Sequence, residues 1–249
     1  MIAVSYGGGT NSTAMLIGLR DHGIIPDVIT FADTGGEKPH TYAHIDLMQA
    51  WCRDNGFPEI IIVQTVNRDG DSITLEGWCR ENNALPSIAY GFKSCSEKHK
   101  IRPQNKFMNH FPPAKAAWAR GEKITKCVGY DADEGRRAIQ IDDPKYNLWY
   151  PLIDWDWGRP ECIEAIKREG LSQPGKSACF FCPSSSQTEV RWLAEKHPEL
   201  MDRAIAMEGN AQLTQVKGLG RSYAWKDLIA TDDMFPESFI DIACGCYDG

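Results

Sequence analysis

Short apolar runs punctuated by glycine and proline dominate the first part of the chain. Residues 2–6 (IAVSY) are apolar and β-rich, and three glycines follow at once. Met15, Leu16 and Leu19 then recur at helical spacing. A helix is expected from Ser12 to about Asp21, capped by Thr10 or Asn11 and ended by Gly23. DVITFAD (27–33) reads as a second strand that stops at the turn signal DTGG. Ile45, Leu47, Met48 and Trp51 mark a helix from about Pro39 to Asn55, and EIIIVQTV (59–66) is a third, fully apolar strand. Strands and helices alternating over short links predict parallel βαβ units.

The pattern continues less regularly. Residues 72–92 read as a helix and then a loop around Pro86, with further helices over 96–110 and 113–120. KITKCVGY (123–130) is another strand, ending in the charged turn DADEGRR. LWYPLIDWDW (148–157) is an aromatic, apolar strand, and a helix follows over 160–169. Beyond 170 Gly and Ser increase, a helix spans 188–208, and 209–249 reads as irregular. The expected fold is α/β: an open, mostly parallel sheet with helices on both faces. Residues 1–170 are expected to form the sheet domain, and 171–249 a helical or irregular region packed on it.

Charge narrows the partners. The 27 basic and 34 acidic residues leave a formal net charge of −7. That argues against a sequence-independent nucleic-acid coat, which needs a basic face. It leaves room for a local channel: Lys93, Lys98, Lys100, Arg102 and Lys106 cluster with only Glu97 opposing. A solvated loop and helix face is the plainer reading of that cluster, and His99 within it is expected to be solvated too. No apolar run approaches the roughly 20 residues of a membrane span. MIAVSY enters a strand without the basic head of an export signal, so a cytoplasmic protein with no membrane partner is expected. Nine cysteines, an odd count without such a signal, point to metal or redox chemistry rather than a disulfide framework. Cys52, Cys79, Cys127 and Cys162 read as small core residues.

GGGTNS (7–12) lies between the first strand and the first helix. Glycines there permit positive φ and let backbone amides approach a phosphate, and the helix N-terminus adds partial positive charge. Ser12 adds a hydroxyl donor. Without a Lys-Ser/Thr pair this is not a Walker A loop, and a tight turn with no ligand is the alternative. Asp33 ends a parallel strand at the carboxyl edge, where ligands of open α/β sheets gather. Arg136 and Arg137 end a later strand, and guanidinium suits phosphate or sulfate.

SYGGGTNS resembles the SGGxDS signature of PP-loop ATP pyrophosphatases and the phosphoadenylyl-sulfate (PAPS) reductase family, which includes DNA phosphorothioation relatives. Gly7 stands where that family has Ser, and Asn11 where it has Asp. FADTGGEKPHT (31–41), CSEKHKIRP (95–103), CVGYDADEGRR (127–137) and YPLIDWDWGRPECIEAIKREGL (150–171) are similar to further family segments, in the family's order. In the third, Asp131 replaces Arg and Gly135 replaces Ser, while Glu134 and Arg137 are kept. The resemblance implies an adenine nucleotide alpha hydrolase-like fold. It also implies ATP, adenylyl sulfate or PAPS bound by Gly7, Gly8, Gly9, Asn11, Ser12, Asp33, Thr34, Gly35, Gly129, Glu134 and Arg137. Magnesium is implied as well, and the missing carboxylate at residue 11 bears on it.

Cys179 and Cys182 form a C-x2-C pair, a spacing at which two thiolates can share one metal or cluster. Family relatives with an iron–sulfur cluster add a cysteine near the KI-x-P segment, here Cys95. The resemblance thus implies a four-iron cluster on Cys95, Cys179 and Cys182, with Cys244 as fourth ligand and Cys246 nearby; a structural zinc is the alternative. The ACGCYDG tail also resembles the terminus that carries the reductases' nucleophile, which makes Cys244 the catalytic candidate. Three functions follow. A reductase would release sulfite from adenylyl sulfate or PAPS with a thiol partner such as thioredoxin. A sulfurtransferase would use ATP to thiolate a nucleic acid. A sensor would bind nucleotide without turnover.

Overall fold

The computed structural model describes residues 1–86, 88–89, 92–139 and 142–230. Its centre is a parallel sheet of β1 (Ile2–Tyr6), β2 (Val28–Ala32), β3 (Ile60–Val63), β6 (Ile124–Val128) and β7 (Tyr146–Trp149), in the order β3-β2-β1-β6-β7. Every neighbouring pair in this sheet is parallel. The fold is α/β, as the alternating runs predict. A short antiparallel hairpin, β4 (Ile88–Ala89) with β5 (Phe92–Lys93), stands apart from it.

Side-chain alternation feeds two cores. Val4, Tyr6, Ile29, Phe31 and Cys127 face one layer, built by α1 (Thr10–Asp21), α2 (Pro39–Asp54) and α8 (Arg159–Arg168). Ala3, Val28 and Ile124 face the other, against α5 (Arg102–His110) and α6 (Pro112–Ala119). Cys52, Cys127 and Cys162 are buried in the first core, where burial pushes each thiol up to about 12. They are core residues, as read. No helix among the described residues is long and apolar enough to cross a membrane.

A third cluster joins α3 (Leu75–Glu81) to α9 (Gln187–Lys196), α10 (Pro198–Asn210) and α11 (Trp225–Ile229). The buried Glu208 carboxylate organises the end of this unit. It accepts from the amides of Leu219 at 2.6 Å and Trp225 at 3.0 Å.

Three expected elements differ. The aromatic run 148–157 is not one strand: β7 ends at Trp149, and Pro151 opens α7 (Pro151–Asp154) as its first helical residue. Proline there lacks only an amide that the helix would leave unbonded anyway. The single helix over 188–208 is two, because Pro198 starts α10 after His197 leaves helical geometry. The helix beginning near Ser96 is α4 (Ser94–Ser96) followed by a π-helical turn, Glu97–Ile101, which leads into α5.

Candidate nucleotide and thiol site

The chain crosses from one half of the sheet to the other between β1 and β6. Open α/β sheets form a crevice at such a point, outside the carboxyl ends of the strands. The loop after β1 and the turn after β6 meet there. Gly8 sits at φ +75°, and a β-carbon on it would lie 3.3 Å from Thr41 and 3.4 Å from Phe31. A β-carbon on Gly129 would lie 3.1 Å from both the amide nitrogen and the Cα of Ser12. Both glycines are therefore required by close approach, and the cradle they leave suits an anion held on backbone amides.

Neither Thr10 nor Asn11 caps α1; both lie inside it, and Gly9 is the extended residue before its first turn. Asn11 instead spans the crevice. Its Nδ2 donates to Asp131 Oδ2 at 2.9 Å and Glu134 Oε2 at 3.0 Å, while its Oδ1 accepts from Arg159 Nη1 at 3.1 Å. Two of the four departures from the resembled pattern, Asn11 and Asp131, thus touch each other, and Asp131 places a carboxylate beside residue 11. Burial, then the Glu134 charge, raise the Asp131 pKa. Ser12 turns inward, donating to Gly9 O at 3.1 Å and accepting from Gly9 N at 3.2 Å. Arg137 pairs with Glu134 at 2.5 Å and lies 4.2 Å over the Tyr130 ring, whereas Arg136 is exposed.

Asp33 ends β2 with its carboxylate already engaged. It accepts from Gly35 N at 2.7 Å, Tyr42 Oη at 2.9 Å and Gln64 Nε2 at 2.8 Å. Burial and the Asp33 charge raise the Tyr42 pKa, so the phenol stays a donor. Gly35 takes φ +70°, which a side chain would resist. Thr34 faces the thiols: its Oγ1 lies 3.0 Å from Cys179 Sγ. Gly36 O accepts from Phe180 N at 2.8 Å, so the DTGG turn and the CFFC segment are joined by backbone.

Cys95, Cys179 and Cys182 line one pocket, with Thr34, Phe181 and Lys100 in its wall. The fold brings Cys95 to the same pocket as the Cys179–Cys182 pair. Their soft thiol chemistry fits an iron–sulfur cluster or a zinc ion. Among the described residues, no three His, Cys, Asp or Glu side chains converge on a single ion position. Cys244 and Cys246 lie outside the described residues.

The basic segment is not a uniformly solvated face. Lys100 is buried against Glu37, 3.7 Å away. His99 is buried rather than solvated, and burial, with Lys98 second, pushes its pKa down to about 4. Residues outside the sequence reading complete the crevice. Ser177 Oγ donates to Gly7 O at 2.5 Å, and Gln173 Nε2 donates to Thr10 Oγ1 at 2.6 Å. Lys176 pairs with the buried Glu189 at 2.8 Å. The only local signal was the PGKS turn before the C-x2-C pair.

No protein-family model matches the chain, and no curated protein matches it.

Proposed function

We propose that the protein is a PAPS reductase-like enzyme that binds an adenylated nucleotide at the β1–β6 crevice and performs sulfur chemistry beside it. One observation carries the reading: the pocket of Cys95, Cys179 and Cys182 shares Thr34 with the turn that closes the crevice at the end of β2. The anionic part of adenylyl sulfate or PAPS would rest on the amides of Gly7 to Ser12. Asp33, Thr34 and Gly35 form the neighbouring edge, and Glu134 and Arg137 border the β6 side.

In the reductive reaction a thiolate attacks the sulfur, and the sulfur–oxygen bond to the phosphate breaks. The nucleotide leaves with that electron pair, as the 5′-monophosphate from adenylyl sulfate or the 3′,5′-bisphosphate from PAPS. The resulting enzyme thiosulfonate is attacked at its cysteine sulfur by a second thiol from a thioredoxin-like partner, releasing sulfite and leaving a disulfide. Cys244 is the proposed nucleophile. Cys95, Cys179 and Cys182 would hold a cluster, which when bound would supply Lewis-acidic iron for sulfur ligands.

The test is sulfite release from adenylyl sulfate or PAPS with reduced thioredoxin, using anaerobically purified protein. Turnover lost in Cys244→Ser, with nucleotide affinity kept, is expected. Calorimetry showing no binding of ATP, adenylyl sulfate or PAPS removes the reading. Pyrophosphate release from ATP, with no sulfite from either sulfate, replaces reduction by transfer.

A further inference from the structure

The thiol pocket adjoins further cavities. A second cavity shares Leu75, Pro86 and Cys95 with it. That cavity in turn shares Trp78, Lys98 and His99 with a larger cleft. Lys98, Arg102 and Lys106 line this cleft, and no carboxylate does so among the described residues. In a chain of net charge −7 such a concentration of cations is a local exception. Arg102 leans on Glu97 at 3.0 Å, but both are at the surface, where such a pair is weak.

The cleft also carries a flat apolar wall. Lys98 Nζ sits 4.5 Å over the Trp78 ring in a cation–π contact, so a base stacking on that face has to displace the ammonium, which then lies beside it to meet a phosphate. His99 meets the same indole edge-on, with ring centroids 6.4 Å apart. Thr65 Oγ1, which donates to Lys98 O at 3.2 Å, ties the π-helical turn to the end of β3 and fixes this wall. Cations beside an aromatic face are the recognition chemistry of unstacked nucleotides: phosphate on the ammonium groups, base on the ring.

We propose that this cleft binds an unpaired nucleotide of a single-stranded nucleic acid, leading it towards the Cys95, Cys179 and Cys182 pocket. The site is separate from the β1–β6 crevice and does not rest on the reductive reading. Occupancy would place a nucleic-acid acceptor, rather than a released anion, within reach of the sulfur chemistry. The same base-plus-phosphate chemistry occurs in a free mononucleotide, and the experiment separates the two sources.

Fluorescence anisotropy with labelled 12-mers of single-stranded DNA and RNA tests the proposal, with the matching duplex and AMP as competitors. Salt-dependent strand binding is expected, with the duplex and AMP competing weakly. Trp78→Leu should weaken it about five- to hundred-fold, the range of one lost base stack. Lys98→Gln with Lys106→Gln should lower the salt slope by about 1.4, for two phosphate contacts on a single strand. Lys106 is exposed, so Lys106→Glu serves as a charge reversal that leaves folding intact. The same reversal at the exposed Lys115 and Lys167, away from the cleft, should have little effect. Gly129→Ala should lose adenylated nucleotide while keeping the strand, so failure at one site is distinguishable from failure at the other. Absence of strand binding, equal losses from the Lys115 and Lys167 controls, or full competition by AMP at strand-like concentrations would overturn the proposal.

Discussion

Asn11→Asp restores the carboxylate of the family pattern and is expected to destabilise this protein. The native amide donates to Asp131 and Glu134, at 2.9 and 3.0 Å. Aspartate at residue 11 keeps an acceptor for Arg159 and loses both donors. Each lost hydrogen bond to a charged group is about 1.5–3 kcal/mol, and a strengthened bond to Arg159 returns a similar amount once. Two carboxylates about 4 Å apart at an effective dielectric of 20 add repulsion of about 4 kcal/mol. Proton uptake sets the ceiling. A carboxyl of ordinary pKa takes a proton at pH 7 for about 4 kcal/mol, and the proton restores the missing donor. Asp131, whose pKa is already raised by burial and Glu134, lowers that ceiling. The expected loss at pH 7 is therefore about 3–4 kcal/mol.

The folded variant then binds one more proton than the unfolded chain. Its stability relative to the parent falls as pH rises, by about 1.4 kcal/mol per unit, and the penalty fades towards pH 4. Urea unfolding at pH 5, 6 and 7 measures this directly. Asn11→Asp combined with Asp131→Arg should recover most of the loss. Recovery stays incomplete because Asp131 Oδ1 also accepts from Glu134 N at 3.0 Å. A single variant within about 1 kcal/mol of the parent and flat with pH, or a double variant no better than additive, would refute the reasoning.

Gly129→Ala sets a β-carbon 3.1 Å from backbone atoms of Ser12, which cannot swing aside as a side chain would. Nucleotide affinity should drop at least about ten-fold with circular dichroism unchanged, since about 1.4 kcal/mol of misfit suffices; unaltered affinity would place the anion elsewhere. His44 titrates on the acid side. Burial, with His40 second, holds its pKa down to about 4, so the folded state is short of a proton between pH 4 and 6.5. Stability should fall as pH drops through that window, by up to about 3 kcal/mol. His44→Gln should remove this contribution and leave the similar one from His99; an unchanged acid slope in His44→Gln would contradict it.

The first half of the fold was legible because its signals are local. Each strand from Ile2 to Val63 is a short, mostly apolar run, broken only by Ser5 and Thr30, each helix has its own apolar stripe, and glycine or proline separates them. Legibility fails where apolar character runs through a boundary. Trp149, Leu152 and Trp155 all pack on the first core, so the pattern continues while the backbone turns from strand to helix at Pro151. Val190 and Leu193 share a cluster with Leu200 and Ala204, so two helices read as one amphipathic segment across Pro198. The site shows the same division. The glycine loop and the three thiols were readable as residue types at spacings. The Asn11–Asp131 contact, at a separation of 120 residues, appeared in the sequence only as two unrelated departures. The hydroxyl of Ser177 against Gly7 left no local trace, and the charges beside His99 concealed its burial.

The distribution of charge around the crevice constrains how it can hold an anion. Cations near the loop are already engaged: Arg137 with Glu134, Arg159 with Asn11, Lys100 with Glu37, and Lys176 with Glu189. The buried pair of Lys176 and Glu189 resists separation, because taking away one partner strands the other charge out of water. A phosphate that recruited these side chains would first have to displace their carboxylates. Apart from Gly9 N, which donates to Ser12 Oγ, the loop amides and the N-terminus of α1 need no carboxylate displaced, and the close approach of Gly8 and Gly129 keeps side chains out of their way. Anion recognition at the proposed crevice site would thus be set by backbone shape. At the proposed outer cleft, where Lys98 and Lys106 line a wall without carboxylates among the described residues, it would be set by charge. The two ends of the site should accordingly differ in salt response, with the crevice nearly indifferent and the cleft steeply dependent.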